Sequence, residues 1–177
     1  MIRGLGAWLW FAAGALAHTP APHEPPMSKT MPVRILHLEA NTRDARLIRN
    51  RLIADGLECH ITRVESEGSL RQALADGQFD VILSDHAVPD LDGLSALAVA
   101  RAEAPEVPFL LVSESLGEDL CIEALKLGGT DYVLKHRLAR LGPAVRRALR
   151  EVAERGRRQE AERTVRAIED QLRHSRK

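Results

Sequence analysis

The chain has 177 residues, 45% of them apolar, 28% charged and 3% aromatic, which supports one cored domain of ordinary size and excludes a wholly disordered chain. So few aromatic residues also exclude a stacking platform for single-stranded nucleic acid. The formal net charge of zero hides two unlike parts: residues 1–135 carry 12 Lys/Arg against 19 Asp/Glu, and residues 136–177 carry 13 against 6, so an acidic body is followed by a basic tail.

Residues 1–31 differ in character from the rest of the chain. Arg3 precedes an apolar run at 7–17, AWLWFAAGALA, and then a Pro/His-rich stretch. The pattern fits a secretory leader, or upstream sequence preceding a true start at Met27 or Met31. The run is well short of the ~20 apolar residues of a stable membrane span.

From residue 32 short apolar runs alternate with amphipathic stretches. VRILHL at 33–38 reads as a strand, and residues 42–55 then carry Ala45, Leu47, Ile48 and Leu52 at helical spacing until Gly56 stops them. CHITRV at 59–64 alternates as a second strand. Residues 69–75 form a short helix closed by Asp76 and Gly77, and FDVILS at 79–84 is the most apolar, central strand. Asp92 and Gly93 open a helix that runs to Glu103, and VPFLLV at 107–112 is a fourth buried strand. Residues 117–127 are helical and end at Gly128 and Gly129, DYVL at 131–134 is a fifth strand, and a further helix begins near Leu138. From Val145 the tail reads as one long helix. Its stripe of Val145, Ala148, Leu149 and Val152 faces the sheet, whereas Val165, Ile168 and Leu172 give barely one heptad, too little for a firm coiled coil. Cys59 and Cys121 are too few for a disulfide scaffold and read as buried thiols in a reducing compartment.

Five strands alternating with five helices predict an α/β fold, a doubly wound five-stranded parallel sheet of flavodoxin-like strand order 2-1-3-4-5 with a long C-terminal helix. The implied organisation is a leader over 1–31, a folded domain over 32–154 and a basic helical tail or linker over 155–177. Ligands in this architecture sit outside the carboxyl ends of the strands. Glu39-Ala40-Asn41 follows the first strand, Ser84-Asp85-His86-Ala87 ends the third, Ser113-Glu114 ends the fourth and Lys135-His136 ends the fifth. A single acid there would read as a helix cap; two acids, a hydroxyl and an ammonium from four segments read as a site. His37, His60, His86 and His136 are not spaced as a metal-ligand set and read as structural. Thr42, Asp44 and the glycine-containing turns give no phosphate-cradling loop.

The blocks ILHLEAN at 35–41, DVILSD at 80–85 with PDLDG at 89–93, LVS at 111–113 and DYVLK at 131–135, with the spacing between them, carry a family likeness. The sequence resembles the response-regulator receiver domain of two-component signal transduction, of the type found with sensory histidine kinases, over about residues 33–154. The resemblance implies that Asp85 is the phosphoacceptor, with Mg²⁺ held by Glu39, Asp85 and the backbone carbonyl of Ala87. It implies that Lys135 pairs with Asp85 and then with the phosphoryl oxygens, that Ser113 hydrogen-bonds the phosphoryl group, and that Tyr132 changes rotamer with it. The donor would be a histidine kinase or phosphotransfer protein, the fourth helix, fifth strand and fifth helix would form the readout face, and a homodimer would be an allowed assembly.

Such a donor lies inside cells, so a cytoplasmic location and a misassigned start for residues 1–31 are preferred. Three positions depart from the family pattern: Ala40 stands where a second acid is expected, Glu114 where a small residue is favoured, and His136 where proline is usual. Ala40 removes a direct metal ligand, and Glu114 either obstructs the pocket or replaces the missing carboxylate. The chain is thus either a phosphorylatable receiver in a phosphorelay or a degenerate pseudo-receiver that docks or dimerises without phosphate. No enzyme activity beyond slow self-dephosphorylation is expected. Phosphatases of the haloacid-dehalogenase type need a second acid two residues after the nucleophile, and that position is Ala87. The basic tail is not followed by a helix-turn-helix, so direct DNA binding is not expected.

Overall fold

The computed structural model describes residues 31–114 and 118–175; the leader up to residue 30, and Gly117 at the start of the predicted fourth helix, lie outside them. The chain runs β1 (Val33–Leu38), α1 (Thr42–Ala54), β2 (Cys59–Val64), α2 (Glu67–Asp76), β3 (Val81–Ser84), β4 (Ala87–Val88), β5 (Leu91–Asp92), α3 (Gly93–Glu103), β6 (Phe109–Ser113), α4 (Glu118–Lys126), β7 (Asp131–Leu134), a 3₁₀ helix (Lys135–Arg140) and α5 (Leu141–Ser175).

Local chemistry sets the boundaries. The Asn41 side chain accepts from the N–H groups of Arg43 and Asp44 and so starts α1, and Gly56, at φ +74°, ends that segment in a conformation costly for any other residue. Helix α2 begins at Glu67, two residues before the predicted start, because Ser66 and Ser69 form a reciprocal capping box. Asp92 accepts from Leu94 N–H and Ser95 N–H and opens α3 where predicted. The last helix begins at Leu141, later than expected, because Arg137 leaves helical angles (φ −126°, ψ 37°). Two strands start two residues late, and at β6 the reason is Pro108, which has no N–H to give the ladder.

The main sheet has the order β2-β1-β3-β6-β7 with every pairing parallel. This is the predicted 2-1-3-4-5 order once β4 and β5, a separate antiparallel ribbon that sequence reasoning did not find, are set aside. One apolar layer joins Leu36, Leu38, Ile82, Leu111 and Phe109 to Leu70, Leu97 and Ala124 from α2, α3 and α4. The other joins Ile35, Leu83, Val112 and Val133 to Ile48 and Leu52 of α1 and Val145 and Ala148 of α5. Covering both faces is why the central strands are almost continuously apolar. His37 interrupts that rule: it is 1% exposed, on β1, and neither ring nitrogen has a partner.

Cys121 is buried, as expected, but Cys59 is only half-buried because it stands on the edge strand β2. In α5, Val145 and Ala148 are buried and Leu149 and Val152 half-buried, while from Ala153 to His174 every residue is exposed. No helix among the described residues is long and apolar enough to cross a membrane.

Candidate functional site

Four strands deliver side chains to one cleft at the carboxyl edge of the sheet. It has a volume of about 560 Å³ and is lined by Glu39, Ala40, Asp85, Ala87, Ser113, Glu114 and Lys135, together with Asn41 and Asp44 from the start of α1. Parallel pairing puts the ends side by side, since Leu38 pairs with Ser84, Ser84 with Leu111 and Ser113 with Leu134, so the residue after each strand meets its neighbours across the edge.

Lys135 is the hub. Its Nζ donates to Glu39 Oε2 at 2.8 Å, Asp44 Oδ2 at 2.6 Å and Asp85 Oδ2 at 2.9 Å, with the lysine side chain 8% exposed. Burial pushes this ammonium down, yet the hydrogen bonds to Asp44, Glu39 and Asp85 together outweigh it and hold the group above the usual lysine range. The second oxygens of Glu39 and Asp85 are also directed. Asn41 N–H donates to Glu39 Oε1 at 2.8 Å and His86 N–H donates to Asp85 Oδ1 at 2.6 Å. Arg63 clamps the loop from β2, its Nε donating to the carbonyl of Glu39 and its Nη2 to that of Ala40.

Glu39, Asp44 and Asp85 each bring a carboxylate oxygen within 4.8 Å of the others. Three carboxylates against one ammonium leave two negative charges in excess, and a set of hard oxygen donors suits a divalent cation such as magnesium. Asp44 was missed at the sequence level. The signal was present, since Asn41 caps α1 and an acid three residues later stands in the first helical turn, but a first-turn acid ordinarily reads as a partner for the helix dipole. Glu114 lies exposed at the rim and is not one of the three converging carboxylates. Ser113 is buried in the cleft and makes no side-chain hydrogen bond among the described residues. Tyr132 does not line the cleft; its ring is half-buried against the apolar layer under α2, α3 and α4. His136 is exposed outside it.

Comparison with known proteins agrees with this fold. The family whose model matches is the response regulator receiver domain, over residues 35–146, more than half of the chain. Regulatory protein AtoC of Escherichia coli K12 is 30% identical over 117 residues, 66% of this chain and 25% of AtoC. Response regulator protein FleR of Pseudomonas aeruginosa is 28% identical over 105 residues, 59% of this chain and 22% of FleR. The chain thus spans about a quarter of the length of these relatives. Among solved structures, the receiver domain of a sensor histidine kinase from Pseudomonas aeruginosa PAO1, with a magnesium ion coordinated in its active-site cleft, is 27% identical at a TM-score of 0.58, covering 67% of this chain and 98% of that one. The signal receiver domain of a LuxO repressor protein from Vibrio parahaemolyticus, 20% identical, shares the fold at a TM-score of 0.65 over 71% of this chain and 96% of its own.

Proposed function

This chain belongs to the response regulator receiver domain family, and from that premise we propose that it serves a phosphorelay by accepting a phosphoryl group on Asp85 from the phosphohistidine of a histidine kinase or phosphotransfer protein. The observation that carries the reading is the Asp85 carboxylate, fixed through one oxygen by the His86 N–H and through the other by the Lys135 ammonium, at the mouth of an open cleft. In the transfer an Asp85 oxygen bonds to phosphorus, the phosphorus–nitrogen bond of the donor breaks, and the imidazole leaves with its electron pair and takes up a proton. Lys135 is placed to follow the charge from carboxylate to phosphoryl oxygen, and the Ser113 hydroxyl is available to hydrogen-bond the new group.

Glu39, Asp44 and Asp85, with the carbonyl of Ala87, would hold Mg²⁺, and Asp44 would supply from α1 the carboxylate that position 40 lacks. When bound, the ion supplies charge neutralisation at the phosphoryl oxygens. The readout face would be α4, β7 and α5, where Ile122, Leu125 and Leu127 are left exposed; a local charge change at Asp85 would bias its packing.

A second reading, a docking module that works without phosphate, draws on Ala40 and on the seat of Lys135 among all three carboxylates, where its ammonium already offsets part of the charge that would recruit the ion. The two readings separate by intact mass of the full chain after incubation with acetyl phosphate and Mg²⁺, beside Asp85→Asn and Ala40→Asp. Gain of one phosphoryl group, absent in Asp85→Asn, is the expected result. Gain only in Ala40→Asp would favour the docking module, and no gain in any folded variant would overturn the phosphoacceptor.

A further inference from the structure

Away from the cleft, α1 and the edge strand β2 enclose a second groove of about 400 Å³, walled by Thr42, Arg46 and Arg49 on one side and by His60 and Arg63 on the other, with His37 at its floor. We propose that this groove is a binding site for a small phosphate-bearing molecule. Charge is the first support. Arg46 and Arg49 are exposed, three residues apart on α1, and so lie on one face of the helix. Among the described residues neither side chain makes a hydrogen bond or an ion pair, whereas Arg34, Arg51 and Arg71 are each matched with an acid. None of the residues lining the groove is acidic. Arg63 is partly engaged, by Glu65 and by the carbonyls of Glu39 and Ala40.

The floor is the second, independent support. His37 is 1% exposed, lies in the floor of the groove and leaves both ring nitrogens unpartnered. Buried polar groups in folded proteins are almost always satisfied, so a side chain in this state marks a place for a partner. A neutral imidazole offers one N–H donor and one acceptor. Together with two free guanidinium forks it approaches the groove from β1 and α1, more donors than the two oxygens of one carboxylate occupy. A phosphate group, with three or more oxygens, suits guanidinium forks in this number, and the volume leaves room for the molecule that carries it.

The test is calorimetric titration of the full chain with inorganic pyrophosphate at constant ionic strength and without divalent metal, so that general screening is held fixed. Saturable binding is expected, weakened about tenfold or more in the double variant Arg46→Ala/Arg49→Ala and unchanged in Asp85→Asn. Both arginines are exposed, so the double variant keeps the fold. The imidazole ¹⁵N resonances of His37 should shift during titration of the wild-type chain. Failure to saturate below roughly 10 mM, indifference to the arginine pair, loss of binding in Asp85→Asn, or an unmoved His37 would each overturn the proposal.

Discussion

A histidine stands on β1 where the inward-facing residues around it are apolar. Burial pushes the His37 imidazole down to about 4, the Lys135 ammonium and the Arg63 guanidinium push the same way, and Asp85 and Asp44 oppose them. Its folded value therefore lies below the ordinary 6.5 of the unfolded chain, and between those values the unfolded state binds the extra proton. Stability is then undiminished above pH 6.5 and falls as the pH drops toward 4. Between pH 7 and pH 5 the loss from this one group amounts to about 2 kcal/mol. Urea unfolding across that range should show it in the wild type and not in His37→Leu; equal slopes for both chains would remove His37 as the cause. At this scale much of the cleft was legible. Glu39, Asp85 and Lys135 follow strands, and Ser113 ends one, whose apolar runs and turn chemistry mark their ends. Asp44 was not, because its place in the cleft depends on the rotation of α1, which the Asn41 cap sets and no strand period reveals. Tyr132 is half-buried against the core rather than lining the cleft, since its facing follows from the pleat of β7 and the packing above it.

Among the elements, strand order and helix identity were readable because covered parallel strands are apolar throughout and their crossovers have one hand. Boundaries were less so. The start of α2 turned on a serine pair in place of the usual serine–glutamate box, and the β4–β5 ribbon needs only two residues a side, too few for any periodic signal. That ribbon and α3 are joined where Gly93 approaches its surroundings most closely: a methyl there would stand 2.7 Å from Leu111 Cδ2 and 3.0 Å from His86 Cα. His86 directly follows Asp85 and orients its carboxylate, so the contact ties the opening of α3 to the proposed phosphoacceptor loop. Gly68, in the first turn of α2, has nothing within 4 Å of the same added atom. Gly93→Ala should therefore cost about 1–3 kcal/mol through overpacking, whereas Gly68→Ala should gain about 0.5–1 kcal/mol. Thermal unfolding of the two variants checks the pair, and a shift of the same sign in both would refute the packing account.

For the whole molecule, the division of charge and the division of packing nearly coincide. The sheet and its helices hold the acidic part of the sequence and the apolar layers, and α5 belongs to them only through its first turns, where Leu141, Ala144, Val145 and Ala148 are buried. Residues 155–177 carry eight Lys/Arg against four Asp/Glu, and the one ion pair of this part of α5 to the body among the described residues, Arg155 to Glu106 at 3.7 Å, joins two exposed side chains. Such a pair contributes at most about 1 kcal/mol, and an unsupported helix holds itself together only marginally. We accordingly propose Glu154 as the boundary of the receiver, with the tail as a separate appendage. Truncation after Glu154 should change unfolding free energy by less than about 0.5 kcal/mol, the range of ordinary surface changes. If Val165, Ile168 and Leu172, all exposed, instead pair between two copies, the intact chain would melt at a temperature that rises with protein concentration and the truncated chain would not. Melting of both chains over a hundredfold concentration range therefore decides whether residues 155–177 end the receiver or begin a shared helix.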